Sequence, residues 1–104
     1  MKLTDQEQSR IFNELSIDNA KRIVTLNNYG VDGLSNNEYV NNVYCIDSDN
    51  NIIWRIKTPE NIGDNDAFNA FINDNGELMV SRSSGEQFAL NSETGHLTYV
   101  KYQR

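Results

Sequence analysis

At 104 residues, with 38% hydrophobic and 10% aromatic side chains, the chain is long enough for one domain with a modest core and too apolar for global disorder. Nine lysines and arginines against fifteen aspartates and glutamates give a net charge of −6, which excludes the basic stripe that a nucleic-acid backbone requires. A single cysteine, no apolar run of signal-peptide type in MKLTDQEQSR and no membrane-length apolar stretch point to a reducing, cytoplasmic setting away from the bilayer.

Thr4 and Glu7 stand at capping-box spacing, so a helix is expected over residues 4–15, with Ile11, Phe12 and Leu15 as a narrow apolar stripe that packs on a sheet. Asp5, Glu7 and Glu14 on its polar side are the wrong sign for a membrane-surface helix. Residues 22–26 (RIVTL) read as a first strand, ended by Asn27, Asn28 and Gly30. Residues 29–42 (YGVDGLSNNEYVNN) then read as a long loop with the isolated large side chains Tyr29, Leu34 and Tyr39. Loops of this length usually carry a task, which makes it a first candidate contact loop; the competing expectation is that Tyr39 and Val40 begin the next strand.

Residues 43–57 (VYCIDSDNNIIWRIK) have the form strand, polar turn, strand, and the pattern returns at residues 87–101 (QFALNSETGHLTYVK). At an offset of 44, Tyr44 falls on Phe88, Ile46 on Leu90, Asp47 on Asn91, Ile53 on Leu97 and Ile56 on Val100. Between the copies, residues 58–66 (TPENIGDND) hold the single proline and carry Glu60, Asp64 and Asp66 without a compensating base, a second candidate contact loop. Residues 68–72 (FNAFI) and 78–82 (LMVSR) flank Asn75-Gly76, a hairpin signal.

The expected architecture is one domain over residues 1–104: a helix at 4–15, a first β repeat at 20–58 and a second at 66–103. Its class is mainly β, an antiparallel meander of about six or seven short strands in two sheets, packed as a sandwich or half-barrel beside one N-terminal helix. Ile52, Trp54 and Ile56 share a face in the first copy, whereas the apolar pair of the second, Leu97 and Tyr99, has the opposite parity, so the two copies are expected to lie differently.

From Phe68 onwards, Asn75-Gly76, Gly85 and Glu93-Thr94-Gly95 fall where a β-propeller blade of the pyrroloquinoline-quinone-dehydrogenase type carries its turns, and the chain resembles such a blade; Ile46-Asp47 with Trp54 is similar to the later half of another. The resemblance implies blade-like sheets. It carries no implication of the quinone cofactor, and two copies are fewer than the ~4 blades that a closed propeller needs.

Chemistry-bearing patterns are sparse. Asp47-Ser48-Asp49 opens like a calcium loop, but Ile52 stands at its glycine position and Thr58 at its bidentate glutamate, which leaves a turn. Cys45 and His96 alone cannot build a zinc site. Ser81, Ser83 and Ser84 have no nucleophile context, and Trp54 reads as core. The chain is therefore read as a non-enzyme without cofactor or metal.

In overall type, by size, acidity and absence of an export signal, the chain is similar to the immunity proteins that neutralise contact-dependent growth-inhibition or other polymorphic bacterial toxins. This likeness implies a cytoplasmic inhibitor, monomeric when free, that occludes a basic toxin such as a ribonuclease or deoxyribonuclease, with no direct contact to nucleic acid or membrane. Its expected contacts are Asp32, Glu38, Glu60, Asp64 and Asp66, with Tyr29 and Tyr39 as aromatic anchors. The alternatives are an acidic mimic of nucleic acid that inhibits a DNA- or RNA-binding enzyme, which Lys2, Arg10, Lys21 and Arg22 disfavour, and a small-ligand-binding β domain.

Overall fold

Each copy of the repeat becomes the last two strands of a four-stranded antiparallel sheet. The computed structural model describes residues 1–18, 20–57, 67–83 and 85–102, with side chains as far as residue 100. In chain order, α1 (Asp5–Ser9), β1 (Ile11–Ser16), β2 (Lys21–Leu26), α2 (Asn36–Val40), β3 (Val43–Asp47) and β4 (Ile52–Arg55) build the first sheet and its two helices. β5 (Phe68–Ile72), β6 (Leu78–Arg82), β7 (Glu86–Leu90) and β8 (Leu97–Tyr102) form the second, and both sheets keep sequence order. The protein is mainly β, as expected, with eight strands and two short helices among the described residues.

The additional strand is the correction to the expected helix over residues 4–15. The Thr4–Glu7 capping box is present, with both reciprocal bonds made, but α1 ends at Ser9. Its five residues, DQEQS, offer no buried side chain, so tertiary packing gives the helix nothing to extend for. Ile11, Asn13 and Leu15 instead alternate with exposed neighbours and pair with β2, which satisfies their backbone groups in a ladder. A second correction concerns Tyr39 and Val40, which belong to α2 and not to the following strand.

Alternation along β2 and β3 produces two apolar clusters, one on each face of the first sheet. Ile23, Val43, Cys45, Trp54 and Ile56 face the second sheet and pack with its Phe68, Ala70, Val80, Phe88, Leu90 and Leu97. Val24, Leu26, Tyr44, Ile46 and half-buried Ile52 lie on the other face, where Leu3 covers them. The residues before α1 also line the start of β4: Ile52 N–H donates to Met1 O (2.7 Å) and Leu3 N–H to Asn50 O (3.1 Å).

Register explains why the repeat looked inconsistent. Tyr44 opposite Arg55 and Cys45 opposite Trp54 match Phe88 opposite Tyr99 and Ala89 opposite Thr98 at the offset of 44. Between them the copies part: the first turn closes from Asp47 to Asn51, the second from Asn91 to His96, one residue longer. A bulge in β4 restores the count, because Ile46 pairs with Ile52 and Cys45 with Trp54, leaving Ile53 unpaired and 43% exposed. The structural counterpart of Leu97 is therefore Ile52, not Ile53, and Ile52 and Trp54 lie on opposite faces although two residues apart.

The copies indeed lie differently. Tyr44 and Ile46 point away from the second sheet, while their counterparts Phe88 and Leu90 point toward the first. The sheets thus stack in the same sense, and the positions that hold Val43, Cys45 and Trp54 in the first sheet hold Gln87, Ala89 and Thr98 in the second. By alternation with buried Phe88 and Leu90, those three face outward.

The sheets meet along the free edge of β5, which rests against β1, β2 and β3. Side chains of the first sheet take the place of a neighbouring strand there. Asn42 Nδ2 donates to Phe68 O and to Leu26 O, both at 2.9 Å, and Phe68 N–H donates to Asn42 Oδ1 at 2.9 Å. Ala70 N–H donates to Thr25 Oγ1 (3.4 Å) and Asn13 Nδ2 to Ala70 O (2.5 Å). An edge that would otherwise be an adhesive row of unpaired groups is closed. At the far side of the interface the β7–β8 turn comes down on Trp54, whose Nε1 donates to Ser92 O at 2.8 Å.

Candidate functional site

The ends of β1, β2 and β5 meet the β2–β3 connection at one corner of the molecule, and the side chains left over there are aromatic. Asn27 and Asn28 set the chain up as it leaves β2. Tyr29 N–H donates to Asn27 Oδ1 (3.1 Å), Val31 N–H to Asn28 O (3.2 Å), and Gly30 takes the positive φ of 78° that this reversal requires. Tyr29 is held out at 83% exposure.

The connection then folds into α2 because Ser35 and Glu38 cap it reciprocally: Glu38 N–H donates to Ser35 Oγ and Ser35 N–H to Glu38 Oε1, both at 3.2 Å. At the other end, Arg55 of β4 reaches the helix carbonyls, its Nε donating to Asn41 O (2.6 Å) and Nη2 to Glu38 O (3.0 Å), with the guanidinium 4.9 Å from the centre of the Tyr44 ring. Buried Asn28 donates to Glu38 O and Tyr39 O (3.4 Å each) and accepts from Arg10 Nε (3.1 Å). These contacts fix Tyr39 beside Tyr29.

Phe12 completes the group. In β1, Ile11 pairs with Leu26 and Asn13 with Thr25, so Phe12 is an extra residue, and the bulge turns its ring outward to 59% exposure. Phe12, Tyr29 and Tyr39 surround a groove of about 290 Å³ whose floor includes Leu26, Asn42 and Phe68. A second hollow of about 170 Å³ lies between Asp18, Lys21, Arg22 and Asp47.

Of the seven residues expected to make contacts, Tyr29 and Tyr39 line this groove. Asp32 and Glu38 are exposed on the same connection, and Glu60, Asp64 and Asp66 lie outside the described residues. Phe12 was missed, because its exposure depends on a register shift against β2 that local sequence does not encode. The helix carrying Tyr39 did have a signal, Ser35 followed three residues later by Glu38.

A family described as a domain of unknown function (DUF7957) matches residues 7–102. The chain belongs to that family. No curated protein and no solved structure matches it. The DUF7957 match runs from within α1 to the end of β8, so it takes in both sheets and the aromatic groove, and leaves out Leu3 and the segment along β4.

Elsewhere in this DUF7957 chain, polar groups with chemical potential serve the fold. Asp47 accepts from the N–H groups of Asp49 and Asn51 (2.9 Å each) and from Asn51 Nδ2 (3.0 Å), bonds that hold its carboxyl below the usual range, those of Asn51 foremost. Cys45 is fully buried, and burial pushes its thiol up. Among the described residues no group of three or more histidine, cysteine, aspartate or glutamate side chains is placed to hold a metal ion, and no helix is long and apolar enough to cross a membrane.

The backbone and side-chain bonds with Ser35 also hold the Glu38 carboxyl below its ordinary value. Because the folded-state value is depressed, the cap's contribution is complete above the ordinary carboxylate range and is lost as pH falls through the folded value. Acidification below the ordinary carboxylate range is expected to loosen α2 while the β2–β3 ladder holds, read as lower protection of the amides of residues 36–40 relative to their intrinsic exchange rates at each pH. In Glu38→Gln that pH dependence should vanish; its persistence would show that the loosening has another origin.

Proposed function

We propose that this protein is a non-catalytic binding protein of the immunity type, acting in the cytoplasm, which neutralises a basic bacterial toxin of nuclease class by covering its active site. The observation that carries this reading is the gathering of Phe12, Tyr29 and Tyr39 around one groove, beside a connection that bears Asp32 and Glu38. Exposed aromatics are costly to leave in water and are the usual anchors of a protein interface, while carboxylates around them select and steer a cationic surface. The net charge of −6 adds long-range attraction that speeds encounter. The groove is at the small end of the ~300–1,000 Å³ range of small-molecule sites, which favours a protein partner over a ligand of that kind.

The test is to tag the full chain, recover its complexes from native cells expressing the neighbouring genes, and measure binding of the recovered protein. A single basic protein at equal stoichiometry, released by salt and inhibited by the chain, is the expected result. Changing Asp32, Glu38, Asp64 and Asp66 together to lysine should slow association by at least about tenfold at low ionic strength. Replacing Tyr29 and Tyr39 by alanine should speed dissociation by a similar factor. Unchanged binding in both variants, with their folds intact, would sink the reading.

A further inference from the structure

We infer that the aromatic groove is a seat for one arginine side chain of the partner, with the guanidinium lying against the rings of Tyr29, Tyr39 and Phe12. This inference rests on the reading of a basic partner and names the chemistry by which the groove would recognise it. Among the described residues that line the groove none carries a formal charge, so a cation entering it meets their ring faces. A planar, weakly hydrated guanidinium tolerates that exchange of water for aromatic surface better than an ammonium does.

Three features bear on why the groove is built to receive a cation. Phe12 is turned into it by a bulge, a device that re-aims a side chain where regular pairing would not place it. Tyr29 stands 83% exposed on a turn pinned by Asn27, Asn28 and Gly30, and so is held ready rather than packed away. The chain's net charge of −6 also favours a cation. The exposed carboxylates Asp32 and Glu38 lie on the connection that carries both tyrosines. The guanidiniums of Arg10 and Arg55 are turned to protein acceptors: Arg10 to Asn28 Oδ1 and Gln6 O, Arg55 to Asn41 O and Glu38 O.

The test is a nuclear magnetic resonance titration of the full chain with acetylated hexa-arginine amide, using hexacitrulline amide as the control that keeps shape and removes charge. Saturable shifts of the Phe12, Tyr29 and Tyr39 ring signals with hexa-arginine, and none with hexacitrulline, are expected. Tyr29→Ala should weaken hexa-arginine binding about threefold to tenfold, and Tyr29→Phe should restore most of it, since the ring face and not the hydroxyl makes the contact. Equal ring shifts with hexacitrulline, or shifts confined to carboxylates while the rings stay still, overturn the seat. If the rings respond to hexa-arginine but no basic protein is recovered from cells, the seat stands and the toxin-neutralising reading falls. If a basic protein is recovered and the rings do not respond, the seat falls and the reading stands.

Discussion

Asn42→Leu is expected to lower the free energy of unfolding by about 3 kcal/mol or more. Asn42 is 2% exposed, and its amide serves Phe68 N–H, Phe68 O and Leu26 O at once. Leucine is of similar size but leaves those three backbone groups buried without partners, at about 1–3 kcal/mol apiece before any relaxation. Relaxation is limited because the groups belong to two different sheets, and moving β5 away to reach water would open the interface that holds Phe68 and Ala70. Denaturant unfolding followed by the fluorescence of Trp54, the sole tryptophan, reads the loss directly. A change below 1 kcal/mol would mean that the Asn42 bonds do not hold the sheets together. Asn42→Asp keeps the acceptor for Phe68 N–H but sets a buried carboxylate against Phe68 O and Leu26 O, so near neutral pH it should destabilise at least as much as leucine.

Gly95→Ala is expected to cost about 2–4 kcal/mol, by the sum of two effects. Gly95 has φ of 78°, where an L-residue with a Cβ is strained by about 1–2 kcal/mol. The Cβ would also stand 2.6 Å from Trp54 Cε3 and 2.8 Å from Cδ2, inside the ring's contact surface. The indole cannot easily retreat, since it is 8% exposed and its Nε1 is tied to Ser92 O in the same turn. Gly76→Ala is the control: its φ is the same 78° and nothing lies within 4 Å of the added methyl, so it should cost only the backbone part, about 1–2 kcal/mol. The difference between the two variants isolates the contact with Trp54. Equal losses would show that the turn swings clear of the indole at little cost. A shifted Trp54 emission in native Gly95→Ala, with none in Gly76→Ala, is the accompanying signature.

Much of the local structure could be read from residue order because its causes are local. Asn75-Gly76 announces a reversal through side-chain acceptors and tolerance of positive φ, and Gly76 N–H does close onto Asn73 O at 2.9 Å. Asp47 and Asn91 likewise each gather the N–H groups of the turn that follows them, which is why the repeat was visible at all. Tyr29 and Tyr39 stood out, with Leu34, as large side chains set apart in a long polar stretch, and the structure brings both tyrosines to one groove.

What could not be read depends on partners distant in the chain. The Thr4–Glu7 box starts a helix correctly, but whether the chain continues helical at Ile11 is decided by β2, which offers a ladder there. The bulges at Phe12 and Ile53 are set by the register against β2 and β3, and each redirects side chains that period-two counting assigns elsewhere. Asn42 gives no sign in sequence that it will complete the edge of a strand 26 residues later.

Sequence by itself determined that this is an antiparallel β protein with a duplicated hairpin, its turns and its acidity, and it singled out Tyr29 and Tyr39, because propensity, turn chemistry and charge belong to single residues and their near neighbours. Tertiary structure alone decided which face of each copy meets the other sheet. Alternation divides a strand into two faces without saying which one does, and here Tyr44 and its counterpart Phe88 take opposite answers, Tyr44 packing under Leu3 instead. It also decided where the groove lies, since that corner exists only where the ends of β1, β2 and β5 converge and a bulge turns Phe12 toward the tyrosines.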